Sequence, residues 1–181
     1  SLPVSHSLMG KGVLPDDHPF ILGMTGFWGT KFINDKCLSA DLVLGLGTRF
    51  AEADCSSWEK EYTFDFSKTK LLHIDIDPSE IGRNYPVQIG AVADLKQALK
   101  VLNRVAKKLY PQGFKNDVLK AEMTTNRSTF KAGLVAAQQS NAFPMRPERI
   151  LADARAVLPH DVIITTDVGW NKNGVGQQFD I

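Results

Sequence analysis

The sequence predicts an α/β fold built on a parallel sheet, and three observations lead there. Short runs that are apolar throughout end abruptly at glycine or acid, as strands covered on both sides do. Helical periodicities stand between them, and glycine-rich turns follow where the strands stop.

Taken in order, Leu2-Pro3-Val4 is a weak strand signal, followed by the turn Leu8-Met9-Gly10-Lys11-Gly12. Gly23-Met24-Thr25-Gly26-Phe27-Trp28-Gly29-Thr30 leads into a short helix over 30–38. Residues 41–47 (Asp-Leu-Val-Leu-Gly-Leu-Gly) form a strand that runs into Thr48-Arg49-Phe50. Residues 70–77 (Lys-Leu-Leu-His-Ile-Asp-Ile-Asp) form the next, stopped by Pro78, and Val87-Gln88-Ile89 is another weak candidate. Over 94–110 the apolar residues Leu95, Ala98, Leu99, Leu102, Val105, Ala106 and Leu109 share one helical side, with Asp94 placed to cap it. A helix over 116–139 lies in a polar stretch, and a last one over 147–158 begins at Pro147, a residue suited to a first turn. Residues 161–167 (Asp-Val-Ile-Ile-Thr-Thr-Asp) read as a final strand ending at Gly169. The organisation expected is a domain over 1–110, a helical linker over 111–146 and the beginning of another domain over 147–181.

Composition narrows the function. With 21 basic and 20 acidic side chains the formal charge is +1, so neither a basic stripe for nucleic acid nor an acidic tail is present. Cys37 and Cys55 have no metal-ligand spacing and read as two reduced thiols of a cytoplasmic protein. No apolar run is long enough to span a bilayer, so no membrane partner is expected. The N-terminus, Ser-Leu-Pro-Val-Ser-His, lacks methionine and resembles neither a signal peptide nor a natural start.

Ligands of open parallel sheets lie beyond the carboxyl ends of the strands. There, glycines let backbone N–H groups approach a phosphate, Arg49 suits phosphate or a flat ring, and Asp75 suits a ribose hydroxyl. Each has an ordinary alternative: Arg49 as a surface cation, Asp75 and Asp77 as caps of a short helix near Pro78, Trp28 as core or interface. His73, inside an apolar strand, reads as a packed, hydrogen-bonded residue. No GxGxxG, P-loop or GxSxG is present, so residue patterns alone reach a nucleotide-compatible α/β domain with an extra strand behind a linker.

The order of these pieces resembles the central domain of the acetolactate synthase group of thiamine-diphosphate enzymes. The resemblance runs through Leu2-Pro3-Val4, Leu8–Gly12, Pro15-Asp16-Asp17-His18-Pro19, Gly23-Met24-Thr25-Gly26, Gly29-Thr30-Lys31, Ala40-Asp41, Gly47-Thr48-Arg49-Phe50 and Ile74-Asp75-Ile76-Asp77-Pro78-Ser79-Glu80-Ile81. Thr165-Thr166-Asp167-Val168-Gly169 and Gln177-Gln178-Phe179 resemble the start of the family's diphosphate-binding domain. Two places depart from the pattern. Trp170-Asn171-Lys172 stand where the group has Gln-His-Gln, and Ala51-Glu52-Ala53 where it has two aspartates and an arginine.

The resemblance implies a Rossmann-like central domain of the DHS-like NAD/FAD-binding type, incomplete at its N-terminus. It implies a parent that needs thiamine diphosphate and Mg2+ and joins a 2-keto acid donor to an acceptor. Gly169, Trp170 and Asn171 would lie near thiamine diphosphate, while Gly10, Gly26, Arg49, Asp75, Ile76 and Asp94 would line a groove for FAD or ADP. No catalytic or metal-ligating residue is assigned within the chain. The activating glutamate would belong to a pyrimidine-binding domain before residue 1, and the magnesium ligands would lie beyond Ile181. A fragment inactive alone is thus expected, from a homodimeric or tetrameric parent. Sulfoacetaldehyde acetyltransferase is the alternative within the family. A non-catalytic nucleotide-binding module is the alternative outside it, and two isolated cysteines speak against a sirtuin-like deacetylase.

Overall fold

The computed structural model describes residues 2–181, in chain order β1 (Val4–His6), β2 (Ile21–Met24), α1 (Lys31–Leu38), β3 (Leu42–Leu46), β4 (Lys70–Asp75), β5 (Ile89–Val92), α2 (Leu95–Leu109), α3 (Asp117–Gln138), α4 (Pro147–Val157) and α5 (Trp170–Gln178). They divide into two compact units, Thr25–Lys115 and Leu2–Met24 with Asn116–Ile181. Every paired strand is parallel, as the apolar runs predict.

In the first unit the strands lie in the order β3-β4-β5, with Leu44 opposite Leu72 and Leu72 opposite Ile89. Alternation along β4 buries Leu71, His73 and Asp75 on one side. Phe50 covers this side, its ring centroid 5.3 Å from that of His73, and meets Phe64, Phe66 and Tyr85 in edge-on contacts of 5.6–5.8 Å. His73 is a packed residue, as its setting in the sequence suggests: Nε2–H donates to the Thr48 carbonyl at 2.9 Å. Cys37 and Cys55 are both buried and form no disulfide.

The other side of this sheet corrects the expectation of cover on both sides. Leu42, Leu44 and Ile89 remain exposed, because α2 touches β4 without burying any residue of its own. All four residues of β5 are exposed. The helix itself is capped as expected, Asp94 Oδ1 accepting from Gln97 N–H at 3.0 Å. No helix forms near Pro78. Asp77 instead accepts from Ser79 N–H (2.8 Å) and Ser79 Oγ (2.7 Å), a side-chain turn that competes with helical bonding.

In the second unit β1 pairs with β2. Asn116 caps α3, accepting from Leu119 N–H at 3.0 Å, and Pro147 stands in the first turn of α4. From α3, Arg127 donates to the carbonyls of Asp17 (3.3 Å), His18 (2.9 Å) and Ile21 (2.8 Å). Gly176 in α5 gives room to Leu8 and Met24; a Cβ there would stand 2.8 and 2.9 Å from them. Asp16 N–H donates to the Ile181 carbonyl at 3.1 Å, and Ile181 N–H returns a bond to Asp16 Oδ2 at 2.8 Å. The expected strand over 161–167 is a further correction. Residues 162–167 form no regular element, none of β1–β5 pairs with them, and Ile163 is 88% exposed. Extended backbone becomes a strand only when a neighbour satisfies its N–H and C=O groups. Among the described residues no helix is long and apolar enough to cross a membrane.

Candidate functional site

The carboxyl ends of β3, β4 and β5 deliver the expected residues side by side. Leu46 lies opposite Ile74, and Asp75 opposite Val92, so Arg49, Asp75, Ile76 and Asp94 all follow adjacent strand ends. Gly47, at φ +59, turns the chain out of β3 while its N–H still donates to the Ile74 carbonyl at 2.8 Å. Arg49 is exposed, and among the described residues its guanidinium has no ion pair, though its carbonyl accepts from Asn84 Nδ2 at 2.9 Å. Asp75 is buried and accepts from Asp77 N–H at 2.9 Å, while Ile76 is 70% exposed. Asp94 is engaged in capping α2.

Gly26 opens the 3-10 turn Gly26–Trp28, which leads into α1. Asn34 of α1 holds it from both sides, accepting from Gly26 N–H at 3.0 Å and donating to its carbonyl at 2.9 Å. The next layer is Thr63, whose Oγ1 donates to Asn34 Oδ1 (3.4 Å) and shares a hydrogen bond with Ser56 Oγ (2.8 Å). The irregular 3-10 segment Glu52–Trp58 passes close to Gly26. Phe50 just before this segment and Ser56, Ser57 and Trp58 within it adopt left-handed φ of +47 to +61°, a strain that persists only where surrounding bonds fix it. Asn34, Trp58, Thr63 and Asn84 had no signal in the sequence, being lone polar or aromatic residues far from any motif.

Charge in this unit is set locally. Hydrogen bonds from Ser67 and Lys68 lower the Asp65 carboxyl to about 2, and those from Ser79 lower Asp77. Burial pushes the Cys55 thiol up to about 12, which makes it a poor nucleophile at neutral pH. Among the described residues no group of three or more His, Cys, Asp or Glu side chains is arranged to hold a metal ion.

Gly10 and the Gly169–Asn171 set belong to the second unit. Gly10 closes the 3-10 turn Leu8–Gly10, its N–H bonded to Ser7 (3.1 Å). Gly169, at φ +135, precedes the nine-residue helix α5, which has no side-chain cap. The first amides of such a helix lack intrahelical partners and face outward with partial positive charge, a setting that fits a diphosphate. Trp170 lies against its own helix, since a Cβ on Gly174 would come within 2.5 Å of its ring, and Asn171 is exposed.

The family model described as "Thiamine pyrophosphate enzyme, central domain" matches residues 1–102. The protein named "Probable acetolactate synthase large subunit" of Methanococcus aeolicus is 32% identical over 189 aligned positions, covering 99% of this chain and 31% of that protein. Glyoxylate carboligase of Escherichia coli O157:H7 is 32% identical over 182, covering 100% and 30%. The chloroplastic acetolactate synthase 1 of Zea mays is 31% identical over 183, covering 98% and 27%. The chain therefore spans about three tenths of the length of these relatives.

Proposed function

From the premise that the chain belongs to the thiamine pyrophosphate enzymes, matched through their central domain, we propose that it is part of a carboligase or decarboxylase acting on a 2-keto acid. The observation that carries this reading is the match of residues 1–102 together with similarity, along nearly all of this chain, to about three tenths of acetolactate synthases and of a glyoxylate carboligase. Bound thiamine diphosphate would supply a carbon nucleophile and an electron sink for breaking the bond beside a keto group.

The chain's own contribution is binding and position. In this reading the amides of Trp170 and Asn171, at the start of a helix without a side-chain cap that follows Gly169, would hold the diphosphate. Helices α3 and α5 are joined to residues 2–24 through Arg127 and the close approach at Gly176, and Ile181 is joined to them through Asp16. Magnesium does not fit the described residues, which lack a suitable donor cluster, and in this reading it is held elsewhere in the parent enzyme. The chain alone is then inactive, and its partners are the pyrimidine-binding and diphosphate-binding domains of the same polypeptide in a cytoplasmic homodimer or tetramer. Within the family, a sulfoacetaldehyde acetyltransferase accounts for the same observations, with Trp170-Asn171-Lys172 marking a different reaction from that of acetolactate synthases.

The test is to sequence the coding region on both sides of residues 1–181 and to assay its product with thiamine diphosphate and Mg2+. Release of CO2 from pyruvate or glyoxylate, or of sulfite from sulfoacetaldehyde with inorganic phosphate present to accept the acetyl group, is the expected outcome and separates the two readings. Absence of activity on all three substrates, or turnover by the 181-residue chain alone, counts against the proposal.

A further inference from the structure

The turn whose glycines suit a phosphate is closed by the chain's own backbone, and we infer that this domain takes no nucleotide there: residues 51–58 occupy the approach that a diphosphate needs. A Cβ built on Gly26 would lie 1.9 Å from the Ala53 carbonyl oxygen and 2.5–2.6 Å from the Asp54 backbone. These are main-chain atoms, which cannot rotate aside. The freedom that glycine gives an approaching ligand is used here by another stretch of the same chain.

The amides are engaged as well. Gly26 N–H goes to Asn34 Oδ1, Gly29 N–H to the Gly26 carbonyl and Gly47 N–H to the Ile74 carbonyl. A phosphate is held by several free N–H groups converging on it, and these three converge on protein. Of the carboxylates, Asp94 caps α2 and Asp75 accepts from the backbone of Asp77.

Nor is the covering segment a lid. Cys55 within it is fully buried, and Ser56 is tied through Thr63 to Asn34. Trp58 Nε1 is bonded back to the Phe50 carbonyl at 2.8 Å. Swinging this stretch away would break all of these and expose the thiol. Arg49 remains, and one exposed cation without converging amides does not make a diphosphate site.

Two measurements on the 181-residue chain test this. FAD, NAD and ADP, each titrated to about 1 mM, are expected to give no binding heat and no rise in melting midpoint. Gly26→Ala is compared, without any nucleotide, with Gly12→Ala. The two glycines have similar φ (+82 and +89°), but nothing lies within 4 Å of a Cβ at Gly12. The cost of a positive φ is thus similar, and the difference between the variants reports the overlap with residues 53–54. Gly26→Ala is expected to melt about 5 °C or more below Gly12→Ala, or not to fold when Gly12→Ala does. Saturable binding of any of the three nucleotides, or equal melting of the two variants, overturns the inference.

Discussion

Trp58 reaches back across eight residues to Phe50, its indole N–H donating to the Phe50 carbonyl at 2.8 Å. Phe50, Ser56, Ser57 and Trp58 are the left-handed non-glycine residues among those described, so this one bond closes the whole strained stretch. Asn84 supports the same carbonyl from outside at 3.2 Å.

Replacing Trp58 by phenylalanine keeps an aromatic ring and removes the donor. The Phe50 carbonyl still has Asn84, so it is not orphaned, and the expected loss is that of one hydrogen bond, about 1 kcal/mol. Urea unfolding of Trp58→Phe and of Asn84→Ala measures it. The double variant is expected to lose more than the two single losses added together, because only then does the carbonyl lose both partners.

Leu71 is 1% exposed on the buried side of β4. Leu71→Ala removes most of a fully buried side chain and leaves a void, and a loss of about 3 kcal/mol is expected. The denaturant midpoint should fall while the slope of the unfolding transition stays unchanged.

Arg127 holds three carbonyls of the segment Asp17–Ile21 from α3. Arg127→Met keeps the length of the stem and removes every donor, and about 2 kcal/mol of local stability is expected to go with them. Hydrogen exchange of residues 16–24 should accelerate, with little change over 70–75. Lysine at this position recovers only part of the protection, since a point-like ammonium cannot fork to three acceptors.

Stability is expected to fall at both extremes of pH. The Asp65 carboxyl titrates at about 2 in the folded chain, held down by the Ser67 and Lys68 hydrogen bonds. The stability it contributes is present above its ordinary unfolded value near ~4 and is lost as pH falls from there toward its folded value. Cys55 works in the opposite sense. Burial raises its thiol to about 12, so the unfolded chain loses this proton first. Stability then declines as pH rises from about 8.5. Denaturant midpoints between pH 8 and 10 should slope downward, and Cys55→Ala should flatten that slope. Equal slopes in both proteins would show that the thiol does not titrate in this way.

Much of the fold was legible in the sequence because its signals are local. The runs at 42–46 and 70–75 are apolar throughout and stopped by glycine or acid, and the helices at 95–109 and 147–157 carry both periodicity and an N-terminal residue suited to the first turn. What failed depends on neighbours. Residues 162–167 have strand composition but no adjacent strand, and the sheet side at Leu42 and Leu44 reads as buried because sequence cannot report what covers it. The candidate groove shows the same limit. Arg49, Asp75 and Asp94 were found from their places after strands, and the register sets them beside one another. That residues 53–54 would lie on Gly26 was not legible, because the left-handed turns at Ser56, Ser57 and Trp58 carry no glycine to announce them.

Taken alone, the 181-residue chain leaves one side of its three-stranded sheet uncovered, and that side sets how copies of it meet. Among the described residues β3 and β5 each pair on one side only, and all four residues of β5 are exposed. A formal charge of +1 gives colliding copies little mutual repulsion. Clumping can therefore start from the folded state, and additives that raise the melting point need not raise the concentration at which a sample stays clear.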